Sequence, residues 1–458
     1  MPVVTDPICW IVWGLCLFTG ISLVLLDLRS RLHWVAPPRW FEIAYFLLYV
    51  IPSFNLLYFG PARTMFYSRG YISMTVASVI GGWAFWFGWY LMWRRTKSQP
   101  TVPGPPKVSP TFYTLQAMLL LFVALIALVM VFRAYGGVLG VIALPQKAYR
   151  LIGSDLYNIF SLMFAAFVPL VAICLGLVLY SKGWYKLLWS SGGAVLFLLY
   201  VMIAVKLGAR YRLLFTIMGC FAIYVSTLRI KKVSLISHLS VLLIFMGVGI
   251  FFYILRLIRY QMVLLPGTMY ERMVYYFTTL KHGLYYDVFM RGDFDAFENG
   301  VALFHLVPRF YHFMWGSTLC SVLYNPIPRI VWPGKPAPSI NQPLIEFGIG
   351  PAALGQRNFA VSLVAELYGN LGWIGVIIGM LALGIIAGRL WRWFLLNNKR
   401  LEAWLHIGVF GAYLPLVMRG SFHCMTVYYL MIVVNELLTR KVVGFIKVAS
   451  LVKRNTKR

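Results

Sequence analysis

Acidic side chains are scarce in this sequence. Asp and Glu together number 13 of 458 residues against 41 Lys and Arg, and charged residues of every type make up only 12%. A soluble domain carries roughly twice that charged fraction, so a water-exposed globule is excluded. Cysteine is scarce too, at six residues. Cys9, Cys16, Cys174, Cys220 and Cys424 sit in apolar runs as small hydrophobes, and only Cys320 stands in a connecting segment, so neither a disulfide framework nor a zinc site is implied. No GxxxxGK[ST] or GxSxG and no well-placed HExxH occurs, which argues against an ATP-driven pump and against a serine or zinc hydrolase. The net charge of +28 would suit nucleic acid, but 61% hydrophobic and 17% aromatic residues do not belong to a basic nucleic-acid-binding domain. The partner to read that charge against is a lipid bilayer.

Long uncharged runs are what the chain has instead. Tyr71 to Trp93 and Phe112 to Phe132 are each long enough to cross a hydrocarbon core of roughly 30 Å as a helix. Further runs at 7–26, 43–62, 156–181, 187–205, 213–228, 233–255, 367–388, 403–418 and 420–435 bring the expectation to about eleven transmembrane helices. The first run lacks a basic leader and an Ala-x-Ala site and follows Asp6, so it reads as a helix and not as a removed signal peptide. The fold class expected is an all-α polytopic integral membrane protein. Its parts are helices 1–8 over 1–255, a large external loop over 256–366, helices 9–11 over 367–438 and a basic cytoplasmic tail over 439–458.

Basic residues set the expected orientation. Assigning alternate loops to one side gathers twenty-three Lys and Arg there, among them Arg29, Arg39, Arg94, Lys107, Lys399, Arg400 and the tail. The other side has nine outside the long loop, whose own charges count little. The richer side is expected to be cytoplasmic, with the amino terminus outside and the carboxyl tail inside. Within the long loop, Val301–Tyr324 contains His305, Pro308, Arg309 and His312, which suits an interfacial or re-entrant helix. Tyr270–Leu284 suits a helix lying along the surface.

Nine of the 13 carboxylates fall on the outer side, Glu366 among them, so polar chemistry is concentrated there. Lys206, Arg210 and Arg212 crowd the join VKLGARYRLL, where a guanidinium can grip phosphate through two oxygens or simply snorkel to lipid headgroups. Arg256 and Arg259, spaced i, i+3, extend such a site or anchor the interface. Asp293 and Asp295 in RGDFDAFEN have a metal-binding spacing, but two carboxylates leave most of a hard cation's ligands unfilled, and a solvated turn is the plainer reading. His305, Arg309, His312 and His423 are imidazole and guanidinium candidates for base or electrostatic roles, against helix–helix hydrogen bonding. Glu366 is costly to bury alone and marks either a structural ion pair or a general base. Gly375, Gly379, Gly384 and Gly388 form two GxxxG patterns, sufficiently explained by close helix packing.

At Ile327–Pro336, IPRIVWPGKP, and at Glu366–Met380, ELYGNLGWIGVIIGM, the sequence resembles the oligosaccharide repeat-unit polymerases, the Wzy-type O-antigen and exopolysaccharide polymerase family. Gly208–Arg210 before an early-middle helix and the late Arg419–Gly420 pair fall in family order. The likeness spans roughly 208–422, and the first 200 residues match only in hydropathy. The resemblance implies a GT-C-like, metal-independent membrane glycosyltransferase that needs no cofactor. Its substrates would be undecaprenyl-pyrophosphate-linked oligosaccharides, donor and acceptor alike. The growing glycan would pass from its lipid pyrophosphate to a new lipid-linked repeat on the outer face of a bacterial inner membrane, with a chain-length regulator as a further candidate partner.

Arg210, Arg329, Trp332, Lys335, Glu366, Asn370, Gly372 and Arg419 occupy motif positions. The resulting assignment makes Arg210, Glu366, Arg329 and His305 catalytic. Arg212, Arg256, Arg259, Arg309, Trp332, Lys335, Asn370, Arg419 and His423 would bind substrate, with Trp315 and Trp332 as candidate sugar platforms. A ligase that transfers finished glycan to another acceptor and a lipid-linked oligosaccharide flippase compete with this reading. The long outer loop favours an enzyme, since transporters place binding groups near the membrane midplane in broken helices.

Overall fold

The structure is a computed structural model that describes residues 4–30, 33, 35–60, 67–94, 105–134, 137, 165–206, 210–227, 295–324, 327, 331–336, 339–349, 360–420 and 422–455. These residues form helices joined by turns. They are α1 (Pro7–Ser30), α2 (Pro37–Phe59), α3 (Ser68–Trp93), α4 (Pro110–Ala134), α5 (Phe167–Tyr180), α6 (Trp184–Lys206) and α7 (Arg210–Val225), then α8 (Ala296–Leu306), α9 (Ser317–Tyr324), α10 (Gln342–Glu346), α11 (Leu363–Asn397), α12 (Leu401–Arg419) and α13 (Phe422–Asn455). Among the described residues six helices are long and apolar enough to cross a membrane: α1, α2, α3, residues 110–130 of α4, α11 and α12. The chain is therefore a multi-pass membrane protein.

The runs expected at 71–93, 112–132 and 403–418 fall inside α3, α4 and α12. The run at 43–62 begins earlier than expected, because Pro37 and Pro38 start a helix that Arg39 and Glu42 do not interrupt. That helix passes through one π turn, Phe46–Val50, directly before Pro52. Proline there cannot donate to the preceding turn, and the wider turn accommodates it. The run at 233–255 lies outside the described residues, as does Tyr270–Leu284. The last run does not stop at 435: α13 continues to Asn455.

Association of helices in lipid depends on close packing more than on hydrophobic transfer, and α3 and α11 illustrate it. A Cβ at Gly384 would lie 2.1 Å from the Phe85 carbonyl oxygen, and one at Gly88 would lie 2.3 Å from that of Leu381. Neither leaves room for a side chain, so the two backbones touch.

Buried polar bonds join helices at one end of the bundle. Arg39 Nε meets Asp27 at 2.9 Å, His406 meets Glu436 at 2.8 Å, and Arg440 meets Glu402 at 3.2 Å. Tyr113 donates to Glu402 and Gln116 to Glu436. The same end holds the 105–109 linker, whose Lys107 amide donates to the Lys399 carbonyl, and His33, whose ring lies edge-on to Trp404.

At the opposite end the chain does something the hydropathy pattern does not announce. α11 is broken at Leu371 and Gly372, and Gly372 has φ 65°, a left-handed conformation open to glycine at little cost. A Cβ on Gly375 would lie 2.4 Å from the Leu367 carbonyl oxygen, and one on Gly379 would lie 2.4 Å from the Leu367 side chain. Residues eight and twelve apart in a continuous helix are about 12 and 18 Å distant, so 363–370 folds back along 373–380. Gly375 and Gly379 serve this fold-back, whereas Gly384 and Gly388 serve the contact with α3.

α8 runs beside the folded-back segment. Ser362 N donates to Ala296 O and Asn299 Nδ2 to Ala360 O, so both short helices begin together inside the bundle. Met74, about 9 Å along α3 from its first residue, contacts both starts, through Ser362 and Gly300. The stretch 301–324 is thus two short helices, α8 and α9, separated by the turn at Pro308.

Candidate functional site

Glu366 lies one turn into the folded-back segment, after the N-cap Ser362, and is fully buried. Its Oε1 accepts from the Thr318 hydroxyl at 3.0 Å and its Oε2 from the Phe422 backbone amide at 2.9 Å. Phe422 is the first residue of α13, so the carboxylate satisfies an otherwise orphaned helix-terminal N–H at the positive end of the dipole. Asn370, one turn further along, donates through Nδ2 to both Thr318 Oγ1 and Glu366 O, each at 2.7 Å. Its Oδ1 is buried without a hydrogen-bond partner among the described residues. The exit of the segment is tied down as well, since Met314 N and Trp315 N donate to the Gly369 and Asn370 carbonyls.

The turn that carries Arg419 is bound to this cluster from its other side. Gly420 has φ 149°, and a Cβ there would lie 2.5 Å from the Val361 carbonyl oxygen, so only glycine lets the α12–α13 turn approach the start of the folded-back segment. Arg419 is half-buried at the end of α12, one residue before that glycine. Among the residues expected to act, the structure therefore joins Glu366 and Asn370 directly, and places the Arg419–Gly420 turn against the segment that carries them. Sequence reading missed Thr318 and the Phe422 amide. A lone hydroxyl in an apolar stretch and a backbone donor leave no signal in composition.

Arg212 is buried in α7 with its guanidinium over the Tyr428 ring of α13, 5.6 Å from the centroid. It faces protein and not lipid. Lys335 is buried and its ammonium donates to Ile327 O at 2.8 Å, closing the turn that also bonds Lys335 N to Trp332 O. Trp332 packs edge-on against Tyr324 with 41% of its surface exposed. Trp315 is 78% exposed and adopts φ 49°, an uncommon conformation for a bulky residue. The side chains of Lys206, Arg210 and His423 lie outside the described residues, as do Arg256, Arg259, Asp293 and Arg329. Asp295 is buried at the start of α8.

His305 is placed elsewhere. It stacks on Tyr67, ring centroids 4.0 Å apart, and lies 5.9 Å from the Phe310 ring, over which Arg309 sits at 5.0 Å. Tyr368, on the side of the segment away from Glu366, donates to Val307 O and stacks on Phe304. Residues two apart on a helix point about 200° apart, so His305 and Glu366 occupy opposite sides of 363–370. Burial, reinforced by Arg309 and Arg69, pulls the His305 imidazole below its ordinary pKa. Among the described residues no group of three or more His, Cys, Asp or Glu gathers to hold a metal.

A helical, multi-pass bundle with a buried carboxylate–hydroxyl–amide cluster beside an arginine-bearing turn defines a membrane protein with a polar site built at one end. Residues 350–447 match the family model described as O-antigen polysaccharide polymerase Wzy. The match covers α11, α12 and most of α13, hence Glu366, Asn370 and Arg419, and supports the Wzy-type resemblance drawn from the motifs. It places the chain in polysaccharide biosynthesis, with polymerisation of O-antigen repeat units as the general activity. Comparison with curated proteins and with solved structures gives no match.

Proposed function

We propose that this protein transfers a growing glycan from its polyprenyl pyrophosphate to a new lipid-linked repeat unit, at the bundle end that holds Glu366. In this step the anomeric carbon's bond to the pyrophosphate oxygen breaks and a bond to the acceptor's sugar oxygen forms. The hydroxyl proton passes to a base, and polyprenyl pyrophosphate leaves. The charge that develops on the leaving group calls for cations held in place. Arg419 takes that part, with Arg210 and Arg329 assigned beside it from the motifs alone, and without a metal. The excess of basic residues among the loops at the opposite end supports placing this site outside the cytoplasm.

The observation that carries the reading is the bond from Phe422 N to Glu366. It locks the folded-back segment to the turn whose Arg419 and His423 flank that amide in sequence. Both carboxylate oxygens are engaged and buried, so Glu366 acts as a positioning residue that holds this turn. The base is assigned to His423, and Asn370 Oδ1 is the acceptor for a sugar hydroxyl.

Glu366→Gln keeps an oxygen for the Phe422 amide, and Glu366→Ala removes it. A reconstituted assay with defined lipid-linked repeat units, products read by mass, is expected to show about a 10-fold slower rate for Gln. For Ala the loss should be on the order of 100-fold or more. Equal, near-complete loss in both variants with normal protein abundance would instead make Glu366 the general base. Absence of polymer from the unaltered protein would remove the polymerase reading itself.

A further inference from the structure

The first turn of α3 collects positive charge in a way that an ordinary helix start does not. α3 has no acidic residue in its first turn and no side-chain cap at Tyr67, while Arg69 stands in that turn, where the helix dipole disfavours a cation. Gly70 brings this turn onto α8: a Cβ there would meet Val301 O at 2.4 Å and His305 Cβ at 3.3 Å. His305 is thereby set against this helix start, stacked on Tyr67, while Arg309, over the Phe310 ring that lies 5.9 Å from His305, and Arg69 both act electrostatically on that imidazole. The C-terminal end of α8 offsets the amino-terminal dipole of α3 but leaves two guanidiniums and an imidazole. Among the described residues neither Arg69 nor Arg309 has a carboxylate within ion-pair distance. Glu346, near Tyr311, accepts from Gln342.

We propose that Arg69, His305 and Arg309 form a second anion subsite, which takes the pyrophosphate of the acceptor glycolipid. Two arginines gathered about one imidazole beside a helix start, with no acid among them, are matched by a phosphate ester, which would add charge-assisted bonds to both arginines. The assignment to the acceptor rests on the polymerase reading. The donor's pyrophosphate adjoins the anomeric carbon and so must lie at the reacting centre. The acceptor's pyrophosphate is attached at the far end of its repeat unit from the attacking hydroxyl. A site on the opposite side of 363–370 from Glu366 and the Arg419 turn fits the distant group and not the reacting one. The exposed rings of Phe310 and Phe347, 6.0 Å apart, continue from the cluster as a surface for the sugars between.

The test uses the full chain in phosphatidylcholine nanodiscs, unaltered and as Arg69→Gln, Arg309→Gln and the double variant. Two quantities are read: binding of inorganic pyrophosphate, and the separate KM values for donor and acceptor. Each substitution is expected to weaken pyrophosphate binding and to raise acceptor KM about 10-fold, with kcat and donor KM within about two-fold. Unchanged pyrophosphate binding in the double variant overturns the subsite. Weakened binding with an unchanged acceptor KM, or with donor KM raised instead, overturns its assignment to the acceptor. Loss of the pyrophosphate signal in nanodiscs containing phosphatidylglycerol assigns the cluster to lipid headgroups and overturns the substrate role. Should the unaltered protein make no polymer, the polymerase reading and the acceptor assignment fall together, while the pyrophosphate arm still decides whether the anion site exists.

Discussion

Single polar groups in this protein are defined by what burial does to them, and His33 is the clearest case outside the spans. It lies in the α1–α2 connection, buried against Trp404, and burial, with Arg39 nearby, pushes its pKa down to about 4. The unfolded chain, with histidine near 6.5, then binds the additional proton as pH falls from 6.5 toward 4. Folding stability therefore declines across that window and levels off below it. At pH 5 the loss attributable to His33 is about 2 kcal/mol. His33→Gln should reduce the drop in unfolding temperature between pH 7 and pH 5, measured in detergent. An identical drop in both proteins would show that His33 is not held neutral. Glu366 is buried too, but its two donors, Thr318 and the Phe422 amide, turn the same burial into a link between helices.

Elements here are shaped by where backbones touch. The α3–α11 contact depends on Gly88 and Gly384, each opposed by a carbonyl oxygen of the facing helix, whereas Gly14 in α1 has open space around its Cα. Gly384→Val should thus push α3 off α11 and sharply lower the yield of folded, detergent-stable protein, and Gly14→Ala should leave it unchanged. Size-exclusion chromatography with a fluorescent tag measures both. A well-behaved Gly384→Val protein would mean that the two helices are not in backbone contact. The GxxxG patterns in α11 were legible in the sequence as close-packing sites, but not their division of labour. Period alone does not tell a contact with a neighbouring helix from a fold-back of the same chain on itself.

For the whole molecule, orientation follows from how the loops are grouped. His33, Lys107 and Lys399 lie together at one end, and Tyr67, His305 and the Glu366 cluster at the other. The exposed thiol of Cys320, in α9 beside Thr318, reports on the second end. In a Cys424→Ser background, which removes the other exposed thiol at that end, it is expected to react with a membrane-impermeant maleimide added outside spheroplasts, while Lys399→Cys with Cys320 and Cys424 both replaced by Ser should react only after permeabilisation. The reverse pattern would invert the site and place the proposed chemistry in the cytoplasm.

Hydropathy and charge in the linear chain were enough to specify an all-helical membrane bundle, because a run of some twenty apolar residues has few other ways to satisfy its backbone in lipid. The resemblance to the Wzy-type polymerases pointed to Glu366, Asn370 and Arg419, and for Glu366 the cost of burying a carboxylate in a membrane pointed the same way. Tertiary structure decided which of them meet. Thr318 and the Phe422 amide reach Glu366 across 48 and 56 residues, and His305, near the same segment, was placed on its other side by a helical turn of about 200°. Arg69, over 200 residues from His305, joined it because Gly70 lets α3 touch α8. Contacts of that range depend on how helices cross and where one of them breaks, and neither is encoded in the order of residues along any single helix.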